Sequence, residues 1–532
     1  MSNNNDRRLF WASFLTLIAA GIGFSVRGAI LGDWSKQFGF TMSELGGITG
    51  GGLVGFGITI IALSFLADRV GYGPLMVLAF ALHLASAVVT LAATYTSGKE
   101  AAFWCLWSGM FLFALGNGTC EAVINPLTAT LFPNNKTHWL NILHAGWPGG
   151  LILGALIGLG MSGLRWEYQI ATFLIPTLAY GLLMLGQAFP RSEATASGVD
   201  LKTMLLEFLS PVLLLLLVLH AMVGYVELGT DSWISKITGM ILENKQAGLL
   251  LFIWTSGLMF VLRFFAGPIV HKISPLGLLF ASAVLGCIGL LMLGSFNGAA
   301  MIVIAATVYG FGKTFLWPTM LGVVSERFPR GGAITLGTIG GVGMLSAGLL
   351  GGPGIGYKQD FFATQKLEQN DPAAYARYRS ADSNHFLFFP AISGLDGSKV
   401  ATLNENGANI KNDIEALERS GRKLTDDKNL EKLNAWWQTA QVFAAQDKGP
   451  VNQAELFGGR QALIYTAAVP AMMALGYLIL ILYFRSQGGY QQVHLPGEHH
   501  QKELAGEYLA NGGPHGTAGS EAIKPPSGIQ GS

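Results

Sequence analysis

Glu121 and Asn125 stand four residues apart in an otherwise apolar stretch, and so do Lys313 and Trp317, and the two carboxylates Glu227 and Asp231. Four-residue spacing puts each pair on one face of a helix. Glu121 stands in Gly116-Asn117-Gly118-Thr119-Cys120-Glu121 ahead of Asn125-Pro126, and Lys313 in Gly310-Phe311-Gly312-Lys313 ahead of Trp317-Pro318. In both, the ionisable residue stands five before the proline. A charge at the centre of a membrane helix costs roughly 2.5 to 3.5 kcal/mol, so such residues face a cavity and a partner and mark ion or solute paths. The ionisable residues inside apolar runs are Arg27, Glu121, His144, His220, Glu227, Asp231, Arg263 and Lys313. Their chemistry is proton exchange and solute coordination.

Each feature carries two readings. Glu121 and Lys313, at equivalent depths on facing helices, approach each other directly, through water or through solute; the plainer alternative is a static ion pair that locks two bundles together. Glu227 and Asp231 either share a proton or find a cation in Lys313 or Arg27, unless Asp231 simply lies in an outer water-filled vestibule. His144, three residues after Asn141 and three before Trp147, either relays protons or is a hydrogen-bonded structural group. Trp147, Trp233 and Trp317 combine an apolar face with an N–H, which suits stacking on a sugar ring or a base. Trp11, Trp34 and Trp166 need only an interfacial role.

The elements that hold these residues follow from composition. Of 532 residues, 51% are hydrophobic and 12% charged, about half the roughly 25% charged share of soluble domains. A soluble enzyme is excluded, and a net charge of +1 gives no basic surplus for nucleic acid. Cys105, Cys120 and Cys287 all fall in apolar runs and offer neither a disulfide framework nor metal-ligand spacing. A span needs about 20 apolar residues. Twelve are expected: 9–31, 44–66, 73–95, 102–129, 138–162, 168–189, 208–235, 248–270, 276–296, 299–324, 333–356 and 461–484. Ten Lys and Arg residues edge the even-side short loops and ends and five the odd-side short loops, which places both termini in the cytoplasm.

The segment 358–459 holds 26 of the 65 charges. It lies between the last two spans, outside the membrane. Ile410, Ile414 and Leu417, then Leu430, Leu433, Trp437 and Phe443, repeat at helical spacing there. Asp371-Pro372 reads as a helix start. The expected fold is an all-α membrane protein of twelve transmembrane helices in two pseudo-symmetric six-helix bundles, with an extracytoplasmic helical insertion between spans 11 and 12. Its parts are an N-terminal bundle (1–189), a cytoplasmic linker (190–207), spans 7–11 (208–357), the insertion (358–459), span 12 (460–485) and a disordered cytoplasmic tail (486–532).

This pattern resembles the major facilitator superfamily, and within it the fucose/proton symporter family of sugar permeases. The likeness is sharpest from Gly116-Asn117-Gly118 through Glu121 and Asn125-Pro126 to Leu140-Asn141 and His144, and again at Trp317-Pro318-Thr319 and from Tyr225-Val226 to Trp233. Leu66-Ala67-Asp68-Arg69-Val70-Gly71 resembles the superfamily's loop between spans two and three. The resemblance implies that Glu121 couples protonation to sugar binding, and that Asp68 and Arg69 form an inner gate by contacting neighbouring helix ends. The family's proton-carrying aspartate in span one falls at Gly28, beside Arg27; its span-five glutamine falls at His144; and Lys313 stands where an uncharged residue is expected. Those departures make the cavity more cationic than a plain sugar site.

The expected function is a secondary transporter of a small polar solute, a sugar first, working by alternating access in a plasma membrane such as a bacterial inner membrane. It would need no cofactor or metal, with H+ or Na+ as the coupling ion, and would act as a monomer in the lipid bilayer without nucleic-acid partners. An anionic sugar or other organic anion is one alternative solute. A sensor that reads ligands with the insertion and no longer transports is the other.

Overall fold

The computed structural model describes residues 4–495 apart from 39, 41, 50, 51, 384 and 420. Among them the regular structure is helical, and the β-pairing is the single bridge Arg379–Leu395. Eleven helices are long and apolar enough to cross a membrane, among them Asn4–Ala29, Lys99–Leu131, Lys136–Gly160, Pro211–Ile241, Lys245–Arg263 and Ala299–Arg327. The stretch expected as span six is instead two shorter helices, Trp166–Thr172 and Leu174–Met184, broken at Phe173. Pro176, three residues on, removes the amide that would bond the Thr172 carbonyl. The same rule breaks the chain at Phe315, three before Pro318, and at Ala467, three before Pro470.

Two short wide turns interrupt other helices. Residues Tyr225–Gly229 and Ala347–Gly351 are π-helical, a local insertion that often marks functional sites. They pack on each other: a Cβ added to Gly229 would stand 2.6 Å from the Cα of Gly351. The Tyr309 hydroxyl donates to the Val226 carbonyl inside the first wide turn at 2.8 Å.

The first and fifth spans are in equally close contact. A Cβ on Gly150 would lie 2.4 Å from the Ile18 carbonyl oxygen and 2.9 Å from the Cα of Gly21, so backbone meets backbone there. Gly150→Leu is therefore expected to cost about 1–3 kcal/mol as the helices are forced apart. Thermal unfolding in detergent measures it, and an unchanged midpoint would contradict the packing.

Residues 358–459 prolong two membrane helices rather than forming a detached loop. The helix Pro329–Asn370 has 42 residues, about 60 Å at 1.5 Å per residue against a hydrocarbon core of about 30 Å. It runs beside Ala444–Thr466, close enough that a Cβ on Gly458 would stand 2.4 Å from the Gln359 carbonyl. Asp371 caps the next helix, Pro372–Tyr378, by accepting the Ala374 amide at 2.9 Å. Ala408–Arg419 and Lys428–Ala440 bury Ile410, Leu417, Leu430 and Trp437 against one another, as their spacing predicts. Phe443 does not join them and is largely exposed. A bidentate pair, Arg377 to the fully buried Asp447 at 2.7 and 2.5 Å, ties the segment together.

The tail does not begin as a free chain. Residues 487–495 lie across the bundle, with Leu495 buried, while 496–532 fall outside the described residues.

Candidate functional site

Two prolines decide where the central polar network forms. A proline lacks the amide that would bond the carbonyl four residues earlier. Pro148 therefore leaves the His144 carbonyl unpaired in its own helix, and Pro318 leaves that of Thr314. Arg263 supplies both. Its Nη1 donates to His144 O and its Nε to Thr314 O, each at 2.7 Å, and its Nη2 donates to Glu227 Oε1 at 3.0 Å. All three residues are buried. Arg263 thus joins the helix Lys136–Gly160, in the first half of the chain, to two helices of the second half.

Around this arginine the acidic residues are partnered differently. Asp231 accepts from Lys313 Nζ at 2.5 Å, and Glu227 takes Arg263. Glu227 lies within the wide turn 225–229 and Asp231 just beyond it, and each carboxylate meets its own cation. Glu121 accepts from Asn125 Nδ2 at 2.6 Å. Because that amide donates, Asn125 Oδ1 must accept, so His144 Nε2, 2.8 Å away, carries a proton and donates to it. His144 Nε2 lies 4.0 Å from the Glu121 carboxylate. Asn141 extends the network by donating to Thr319 Oγ1 of the other half at 3.1 Å.

The direct approach of Glu121 to Lys313 is not what the structure adopts. Lys313 is fully buried and its charge is met by the nearest carboxylate of its own half, while Glu121 is held by Asn125. Arg27 also stands apart from Glu227 and Asp231. It donates to Ser86 Oγ at 2.7 Å and to the Gly23 carbonyl at 3.1 Å, and its guanidinium lies 4.0 Å from the Phe113 ring centre. Behind it a second buried cluster joins His83 to Tyr180 and Asn117 at 2.9 and 3.0 Å.

The three tryptophans separate as well. Trp317 is buried with its ring 4.5 Å from that of His220 and against Gly343, so it is packing and not an open platform. Trp233 spends its N–H on the Gly352 carbonyl at 2.9 Å. Trp147 remains half-buried, 5.8 Å from the largely exposed Phe24, and next to it on the first helix Gly28 has nothing within 4 Å of an added Cβ.

The end of the bundle that carries both chain ends is laced across the halves. Asp68 Oδ2 accepts the Ala333 amide at 3.1 Å, at the start of the helix Gly332–Ser346. Its neighbour Arg69 is exposed and takes no part in that contact. Lys136 pairs with Glu193 at 2.6 Å and donates to the Ser325 carbonyl. Glu326 Oε1 accepts both the hydroxyl and the amide of Thr137, at 2.6 and 3.2 Å. Lys136, Thr137, Glu326 and the bridging role of Arg263 are not evident from residue type. For Arg263 the signal was available, since Pro148 and Pro318 announce two carbonyls in need of a donor. Thr137→Val, which keeps the shape and removes the hydroxyl, is expected to weaken closure of this end, read as faster labelling of a cysteine placed at Ala129, buried beside Lys136; unchanged labelling would deny the contact any role in closure.

Among the described residues no group of three or more His, Cys, Asp or Glu could hold a metal ion. Residues 13–352 match the family model described as Major Facilitator Superfamily. The search of curated proteins returned no match. Among solved structures, a bacterial homologue of the human lysosomal transporter Spinster, in an inward-facing and unoccupied conformation, is 14% identical with a TM-score of 0.58, covering 90% of this chain and 97% of that one. The proton:xylose symporter XylE is 15% identical with a TM-score of 0.58, over 66% of this chain and 88% of its own. The E. coli fucose:proton symporter FucP is 16% identical with a TM-score of 0.54, over 66% and 92%. These likenesses share the fold, and the family model covers well over half of the sequence: the chain belongs to the Major Facilitator Superfamily and is a membrane transporter, not an enzyme.

Proposed function

We propose that this protein moves a small polar solute, a sugar first, by alternating access, with Glu121 as the group whose protonation couples the solute to a proton gradient. One observation carries the reading. Of the three carboxylates at the core of the spans, Glu227 and Asp231 each contact a cation, whereas Glu121 is held by the neutral amide of Asn125. Glu121 can therefore gain or lose a proton without breaking an ion pair, and His144 and Asn125 lie beside it as a hydrogen-bonded route. The sequence resemblance to the fucose/proton symporters at Glu121, Asn125-Pro126 and Asn141 supports the same assignment.

In this reading Trp166–Thr172 and Leu174–Met184 are one interrupted span, which makes twelve in two pseudo-symmetric bundles. The bundles are 1–189 and 208–357 with 460–485, joined by the linker 190–207. Both termini are cytoplasmic, 358–459 lies outside a plasma membrane, and the monomer is the working unit without a cofactor. Arg27, Asn141, Trp147 and the Lys313–Asp231 pair border the path.

Uptake of labelled neutral sugars into proteoliposomes, with and without an inward proton or sodium gradient, tests it. Accumulation driven by the proton gradient is expected. Accumulation driven by sodium alone would move the coupling to that ion, and equilibration without accumulation would reduce the protein to a facilitator.

A second reading, an anionic sugar or other organic anion, is favoured by Arg27, a buried guanidinium whose hydrogen bonds go to a hydroxyl and a carbonyl. Competition by a uronate but not by the parent sugar would select it. Replacing 371–443 by a short Gly/Ser link between the two long helices is expected to leave uptake intact; a ligand bound by that segment, with no solute moved, would favour a sensor.

A further inference from the structure

The segment that follows the last membrane helix crosses the seam between the two halves of the chain. That helix ends at Ser486. Tyr490 then donates its hydroxyl to Glu326 Oε2 at 2.7 Å, and the Val493 amide donates to the Glu326 carbonyl at 2.8 Å. Arg327 donates to the Gln491 carbonyl. These contacts fix the segment to the second half. Gln492 reaches the other half, where its side-chain Nε2 donates to the Pro133 carbonyl at 2.5 Å. The chain is seated as well as bonded: Tyr490 packs edge-on to Phe484 with ring centres 5.7 Å apart, and Leu495 is buried.

Glu326 makes this more than a surface contact. One of its carboxylate oxygens holds the tail through Tyr490, and the other accepts from the amide and hydroxyl of Thr137 in the opposite half. The tail therefore closes the seam twice. It bridges directly from Gln492 to Pro133, and it buttresses the Glu326 carboxylate in the orientation that meets Thr137. Beneath it, a cavity of about 540 Å³ is lined by Asn134 and His138 of the first half, by His271 and Glu326 of the second, and by Tyr490 and Gln492 of the tail. Closing contacts of this kind favour one of two rigid-body arrangements only to the extent that they are absent from the other.

We propose that residues 487–495 are a strap that holds the cytoplasmic end of the transporter closed, and that the strap must release Pro133 for that end to open. The proposal rests on the alternating-access reading and adds a regulatory element to it: whatever detaches the strap raises the inward-open population without touching the solute site.

Spin labels on Val70→Cys and Leu209→Cys, exposed positions on opposite halves and away from the strap, report opening of this end in the full chain carrying Ser in place of its native cysteines. Truncation after Ser486 is expected to raise the ratio of open to closed distances about tenfold, equivalent to about 1.4 kcal/mol. Truncation after Leu495, which keeps the strap, is expected to leave the ratio unchanged. Full-length Tyr490→Phe combined with Gln492→Ala makes the same test without shortening the chain, and is expected to shift the ratio in the same direction. Equal ratios in the intact chain, in the double variant and in the shorter truncation would overturn the strap while leaving alternating access in place. A single closed distance in every form, under both gradients and with solute, would instead remove the alternating-access reading on which it stands.

Discussion

Glu121→Gln is expected to abolish gradient-driven accumulation in proteoliposomes and to leave solute binding or counterflow measurable. Glutamine keeps the size of the side chain, and its Oε1 still accepts from Asn125 Nδ2, but it has no proton to exchange at physiological pH. The expected loss is in the driven component alone, by a factor of a hundred or more on the scale of about 10²–10⁴ for a positioned proton-transfer group. His144→Gln serves as a companion, because a neutral donor at that position keeps the bond to Asn125 Oδ1. If it retains driven uptake, the histidine positions Asn125 and does not carry protons. Unchanged accumulation by Glu121→Gln would remove this carboxyl from the coupling altogether.

The second large effect is on stability. Arg263→Ala strips donors from the His144 and Thr314 carbonyls and leaves Glu227 buried beside no guanidinium. Breaking a buried pair by removing one partner costs about 3–5 kcal/mol, mostly because the other charge is stranded. Thermal unfolding in detergent is expected to show a large drop for Arg263→Ala. A smaller drop is expected for Arg263→Met with Glu227→Leu, which removes both charges and keeps the bulk. Because two of the three bonds go to carbonyls, the double variant recovers only part of the loss. Full recovery would mean that the carbonyls released by Pro148 and Pro318 need no donor.

Much of this arrangement was legible in the sequence. Length and apolarity located eleven of the expected membrane helices, and helical spacing placed Ile410, Leu417, Leu430 and Trp437 in one small core. The interruptions were harder to read because an apolar run looks continuous whatever its backbone does. The breaks at Phe173, Phe315 and Ala467 each stand three before a proline, but Pro126 and Pro148 lie inside unbroken helices, so a proline marks where a break can fall without deciding that one does. The wide turns at Tyr225–Gly229 and Ala347–Gly351 left no such mark. Lys313 takes Asp231 of its own half and Glu121 takes Asn125, so the repeat-based pairing of Glu121 with Lys313 is not the one adopted. Residue type alone also could not distinguish Trp317, packed on His220, from Trp147, which keeps part of its surface open.

The long helix Pro329–Asn370 and its antiparallel neighbour Ala444–Thr466 have a mechanical consequence. Beyond the wide turn at Ala347–Gly351 the helix Gly352–Asn370 runs on unbroken and packs along Ala444–Thr466, so the pair is a lever rooted in the second half of the chain. From Gly352 to Asn370 the arm is 19 residues, about 28 Å, so a domain rotation of about 15° would sweep its tip through about 7 Å. The helix Ala408–Arg419, carried by that arm, rests against Leu31–Phe38 of the first half. Few contacts slide that far intact, so under the proposed alternating access each turnover would make and break a touch between the segment 358–459 and the first half, far from the solute.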